Sequence, residues 1–152
     1  MRLTKRVGPM AGAVALVGAV VLGVAPAHAD SNTGPVKGPS CGAGYYLQES
    51  HAIRGKAGLV AGVVYLYYNR STGNNCAITR RDRSFTTTRI AAGVQRKGDD
   101  KLSQDKGAYH SYAGPTYLYA KGQCVRFGGQ LVGRFSTTTE TAEWISDWGH
   151  CG

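Results

Sequence analysis

The chain has 152 residues, 42% hydrophobic and 18% charged, with a formal net charge of +9. The hydrophobic share excludes a disordered polyelectrolyte, and the length suits one compact domain. Among the familiar chemical motifs there is no P-loop lysine, no H-E-x-x-H, no calcium loop and no G-x-G-x-x-G leading into a helix, so the usual nucleotide and metal enzymes are set aside.

Arg2, Lys5 and Arg6 form a positive region ahead of the apolar run from Val7 to Val24, and Ala27-His28-Ala29 supplies the small residues that a signal peptidase requires. Residues 1–29 therefore read as a signal peptide cut before Asp30. The apolar run approaches the ~20 residues of a membrane span, but its flanks favour export and removal, so no membrane association is expected afterwards. Removing 29 of 152 residues leaves 123. The leader takes three of the 18 cations with it, leaving 15 against nine carboxylates, about +6. Outside the cell such a charge attracts acidic polymers: anionic wall polymers, extracellular nucleic acid or acidic polysaccharide. The cations are spread along the chain, however, with Asp99, Asp100 and Asp105 among them.

Asp30–Ser40, with two Gly-Pro steps and no apolar periodicity, reads as a flexible N-terminal arm, and residues 41–152 as a single domain. Tyr45-Tyr46-Leu47 suggests a short first strand, and Gln48–Ala61 a connection with an extended piece around Ile53. Val63–Thr79 is the clearest element: two runs rich in β-branched and aromatic residues flank Asn69–Asn75, which holds turn-forming residues, so a β-hairpin with a loop beyond the two-residue minimum is predicted. Both faces of its first strand are apolar or amphipathic, which places that strand centrally and covers it on both sides. Phe85–Val94 reads as a further strand interrupted at Ala91 and Ala92, and Arg96–Gly107 as a polar surface loop. Gly114-Pro115 marks a turn or bulge before Tyr117–Tyr119. Gln123–Phe127 is a strand that Gly128-Gly129 breaks before Leu131–Phe135 continues it. In Ser136–Gly152, Trp144 and Trp148 fit one face of a helix and also strand alternation.

Cys41, Cys76, Cys124 and Cys151 are even in number and all lie in the exported part, which points to disulfides. Their spacings of 35, 48 and 27 residues lack the C-x-x-C pairs of a zinc site. Of three possible pairings, Cys41–Cys76 with Cys124–Cys151 closes the shorter loops and is favoured, with the others left open. Short strands at about ten-residue spacing then give an all-β sandwich or small barrel with two disulfides, ending in a strand or one short helix.

Candidate sites are sparse. Gly38-Pro39-Ser40-Cys41-Gly42 matches a nucleophile elbow in letters only, since no strand precedes its serine. His51, His110 and His150, with Glu49, Glu140 or Glu143, have the chemistry of an exported nuclease, but no spacing joins them. The tyrosines 65, 67, 68, 109, 112, 117 and 119 fit a stacking surface for sugars or bases and, equally, one layer of a β core. Arg80, Arg81 and Arg83 form a possible binding patch for acidic polymers, set against a solvated turn. No catalytic, cofactor-binding or metal-binding residue is assigned, no specific nucleic-acid partner is expected, and the protein is expected to be a monomer.

At the hairpin, at Tyr112-Ala113-Gly114-Pro115, at Gly122-Gln123-Cys124-Val125 with Phe127-Gly128-Gly129, at Cys151-Gly152 and at the opening Cys41-Gly42-Ala43-Gly44-Tyr45, the chain resembles the actinobacterial spore-associated protein A family. It departs from that pattern in carrying Phe127 where tryptophan is usual, and in a longer Arg54–Gly62 approach to the hairpin. The resemblance implies a small exported protein found with spores or aerial growth, without an established enzymatic activity. The expected function is thus non-enzymatic association with the spore or cell surface, aided by weak binding to acidic polymers. A small nuclease-like hydrolase is one alternative. A protease inhibitor acting through Arg96–Gly107 is another.

Overall fold

The computed structural model describes residues 38–152; the expected signal peptide and the expected arm up to residue 37 lie outside the described residues. The regular elements among them are eight strands: β1 Tyr46–Arg54, β2 Val60–Asn69, β3 Asn74–Arg81, β4 Thr86–Arg96, β5 Leu102–Gly107, β6 Tyr112–Tyr119, β7 Val125–Arg134 and β8 Glu140–Ile145. They form two antiparallel sheets, ordered β1-β2-β3-β6 and β5-β4-β7-β8. The chain crosses between sheets after β3, β5 and β6, and β1 comes to lie against β8 while β6 lies against β5. Ile53, Val64 and Leu66 from one sheet meet Ile90, Val94, Phe127 and Leu131 from the other, all essentially without solvent contact. The all-β class and both favoured disulfides, Cys41–Cys76 and Cys124–Cys151, are present.

The hairpin is β2 and β3, paired from Gly62 with Arg81 to Asn69 with Asn74. Asn69 closes its four-residue turn by accepting from the amides of Ser71 and Thr72. As expected, β2 is an interior strand. Its inward residues Val64 and Leu66 are fully buried, but Val63, Tyr65 and Tyr67 on the outer face are only half-buried, so the cover is one-sided.

Four expectations need correction. Gln48–Arg54 is strand, because β1 is an edge strand whose outer positions face water and whose apolar signal is reduced to Ile53. Leu102–Gly107 is also strand. Its inward side is polar because it meets β6 through hydrogen bonds: Ser103 Oγ lies 2.6 Å from Thr116 Oγ1, and the Gly114 amide donates to Asp105 at 2.7 Å. The inhibitor loop therefore shrinks to Lys97–Lys101. Ala91 and Ala92 do not interrupt β4, and Gly128-Gly129 does not break β7. A Cβ on Gly129 would lie 2.4 Å from Thr79 Oγ1 and 2.8 Å from Ile53 Cδ1. That glycine thus serves close approach of the opposite sheet, not a turn.

Gly114-Pro115 is the expected bulge: Ala77 pairs with Thr116 and Thr79 with Ala113, which leaves one extra residue on β6. The last segment resolves as strand β8 followed by an irregular tail, with no helix in the described residues. A bridge from Val125 to Gly149 and the Cys124–Cys151 bond hold that tail beside β7.

Candidate functional site

Strand pairing in the second sheet lays its outward residues out as a grid. The first row reads Lys106, Ala91, Gln130, Glu143, and the second Gln104, Gly93, Gly128, Ile145. The third reads Leu102, Gln95, Arg126. Because the centre of the second row is a pair of glycines, the sheet face carries a trough running across the strands, with a volume of about 250 Å³. Its walls are the polar residues of the outer rows. Leu102 and Ile145, 56% and 65% exposed, stand at opposite corners.

The walls are internally ordered. Arg126 Nε donates to Gln95 Oε1 at 2.8 Å, and its guanidinium stacks over the Trp148 ring at 4.6 Å. Gln130 Nε2 donates to Glu143 at 2.9 Å. Trp148 can reach Arg126 only because the tail is pinned beside β7. The groove therefore offers amide and guanidinium donors, amide and carboxylate acceptors and two apolar contacts above a floor almost free of side chains. That is a set for holding a ligand by hydrogen bonds.

The histidines and carboxylates picked from the sequence fall elsewhere. Where β1 meets β8, the His51 ring stacks on Trp144 at 3.9 Å and 8°. His150 Nε2 lies 2.7 Å from Glu49 Oε2, a partner 101 residues away, with Phe127 edge-on to both Trp144 and His150. His110 stands apart, its Nδ1 3.1 Å from the Thr87 carbonyl. Glu140 accepts from the Lys56 amide. Among the described residues no group of three or more His, Cys, Asp or Glu is placed to hold a metal ion.

The arginines do not converge. Arg80 lies over the Tyr65 ring at 5.2 Å and donates to the Pro39 carbonyl. Arg81, one residue on, turns away to donate to the carbonyls of His110, Asp82, Arg83 and Phe85, tying two crossings between sheets together. Six of the tyrosines are spread over β2 and β6 of the first sheet in separate contacts, while Tyr109 lies in the β5–β6 crossing and donates to Asp105. Tyr65 stacks near Tyr67, Tyr45 tilts against Tyr117, and Tyr117 donates to the Cys41 carbonyl. Burial pushes the Tyr65 phenol up, with nearby Arg80 opposing it. The groove itself was not anticipated. The available signal was the alternation Ala91, Gly93, Gln95, small and polar on one face of a strand whose other face is Ile90, Ala92, Val94.

Fold and site together define a small, two-sheet β protein stapled by two disulfides, with a polar groove on one sheet face. Two disulfides fit a location outside the reducing cytosol. The chain is 38% identical over 127 residues to "Spore-associated protein A" of Streptomyces coelicolor (strain ATCC BAA-471 / A3(2) / M145), covering 82% of this chain and 79% of that protein. It belongs to the spore-associated protein A family. No family model matches it, and no solved structure does.

Proposed function

We propose that this is an exported, non-catalytic protein of the spore or cell surface, which stays there by holding a surface polymer in the groove of the second sheet. The observation that carries this reading is the groove itself: a glycine floor with ordered amide and guanidinium walls. The name of the relative supports the location. Acidic polymers gain from the basic balance of the chain as a whole, to which Arg81 adds little because its guanidinium is occupied by backbone carbonyls. The test is co-sedimentation of the purified mature protein with isolated cell or spore envelopes. Arg126→Ala and Gln130→Ala are expected to leave more protein in the supernatant, and equal retention of both variants would remove the groove from the mechanism. Elution by salt measures the share due to charge.

A second reading, hydrolysis, rests on one specific contact. His150 has left-handed backbone geometry (φ 52) and pairs with Glu49, in the same seam as His51. A carboxylate-oriented imidazole is the start of a general acid–base pair. RNA incubated with wild type and with His150→Ala decides it: cleavage by the first and not the second would replace the non-catalytic reading.

A further inference from the structure

Among the glycines within the strands, Gly93 is the one that packing does not explain. A glycine inside a strand costs about 0.5–1 kcal/mol relative to alanine. In such a place it marks a bulge, a bend or the close approach of another molecule. The glycines of β7 have internal reasons: a Cβ would lie 2.6 Å from the Trp144 carbonyl oxygen at Gly128, 2.4 Å from Thr79 at Gly129 and 2.1 Å from the Thr86 carbonyl oxygen at Gly133. At Gly93 the nearest atoms would be Ser103 O at 3.6 Å and Leu102 Cδ1 at 3.7 Å, ordinary contact distances. Pairing is regular on both sides of it, with Gln104 and with Gly128, and its φ lies outside the left-handed region. What the missing side chain keeps open is the centre of the groove.

The groove has a definite size and chemistry. Four strands about 4.8 Å apart put Gln104 and Ile145 roughly 14 Å from each other at the two ends of the floor row, and the glycine pair between them leaves room for a sugar ring of a longer chain. Gln95, Gln104 and Gln130 present planar amides, and among the described residues no side-chain hydrogen bond occupies the Gln104 amide. The charged groups of this face are Lys106 and Arg126 against Glu143, one net positive charge; Arg126 donates to Gln95 and stacks on Trp148, and Glu143 accepts from Gln130. A polyanion entering at the β8 end meets the Glu143 carboxylate. An extended peptide finds no backbone partners, because β4 and β7 are interior strands paired on both sides. Leu102 and Ile145 offer apolar contact for methyl groups at the corners.

Building on the polymer-holding reading above, we infer that the groove takes a neutral, β-linked glycan of N-acetylated amino sugars. The glutamine amides hydrogen-bond its hydroxyl and acetamido groups, the acetamido methyls rest on Leu102 or Ile145, and the sugar ring lies over Gly93 and Gly128.

The test is calorimetric titration of the oxidised mature protein with four probes: a β-1,4-linked N-acetylglucosamine hexamer, cellohexaose of the same linkage without acetamido groups, an oligogalacturonate, and an uncharged peptide of similar length. The acetylated hexamer is expected to bind about tenfold more tightly than cellohexaose, the equivalent of one good hydrogen-bonded contact. Gly93→Val, which fills the floor, is expected to abolish that binding. Gly93→Ala, which fits the strand without a clash, is expected to weaken it while leaving the thermal midpoint no lower than wild type. Equal binding of cellohexaose, or undiminished binding by both Gly93 variants, overturns the inference. Binding of the oligogalacturonate or the peptide alone, lost in Gly93→Val, overturns the glycan assignment but leaves the groove as the polymer site. If none of the four binds while envelopes still retain the protein through Arg126, the ligand class falls and the retention reading stands.

Discussion

Replacing Gly129 with alanine tests how closely the two sheets approach. The added Cβ would stand 2.4 Å from Thr79 Oγ1, 2.8 Å from Ile53 Cδ1 and 3.0 Å from Thr79 Cγ2. Thr79 and Ile53 are both fully buried, so neither side chain can swing into solvent to make room. The sheets must part locally or the side chains leave their rotamers, and overpacking of this kind costs about 1–3 kcal/mol. The loss of backbone freedom in the unfolded chain returns roughly 0.4–1 kcal/mol, so the net destabilisation is expected near 1–2 kcal/mol. Gly93→Ala is the internal control: it has the same unfolded-state gain and no close contact, so it is expected to be neutral or stabilising by up to about 1 kcal/mol. Urea unfolding with both disulfides intact measures the pair, through midpoints at constant slope. Each kcal/mol also moves the thermal midpoint by about 4 °C for a domain of this size. If Gly129→Ala were as stable as Gly93→Ala, the opposite sheet would not press on β7 at Gly129, and the account of that glycine as a packing device would be wrong.

Arg81→Lys is expected to cost about 1–3 kcal/mol in the same unfolding experiment, since an ammonium cannot fork to four carbonyls; unchanged stability would return Arg81 to the pool of free surface cations. Removing Cys124–Cys151 by a double change to serine frees a 27-residue loop and is expected to lower stability by about 3.5 kcal/mol on chain entropy. It should also detach Trp148 from Arg126, which tryptophan fluorescence follows; an unaltered spectrum would contradict the pinned tail. The Asp99 carboxyl is held down to about 2 by hydrogen bonds from Arg96 and from the Lys101 amide. Its folded value lies below the unfolded one, so the contribution of this pair is full above the ordinary carboxylate range and is lost as pH falls through about 2. Carboxyl NMR titration reads it directly: Arg96→Ala should return Asp99 toward its ordinary value, and no change would refute the pairing.

How far the sequence reached depends on where each segment's signal resides. The hairpin was legible because β2 buries one face, so its β-branched and aromatic residues and the Asn-rich turn are all local. The disulfides were legible because loop closure depends on separation along the chain. β5 was missed and β1 was caught only at Tyr46-Leu47 and around Ile53 for a common reason: edge strands satisfy one side with water or with side-chain hydrogen bonds, as Ser103 and Asp105 do against β6, and leave no apolar alternation. The glycine pair in β7 was misread because the demand for glycine came from the opposite sheet, through Thr79 and Ile53. The Glu49–His150 contact spans 101 residues, and no pattern along the chain could mark it.

By itself, then, the sequence determined an all-β chain and membership of its family and favoured the two short-range disulfides among three pairings, because patterning, cysteine spacing and ordered motifs are one-dimensional properties. The groove is different in kind. Its floor and walls are single residues from four strands, set side by side by sheet register, and only tertiary pairing places Gly93 next to Gly128 beneath Gln95 and Gln130.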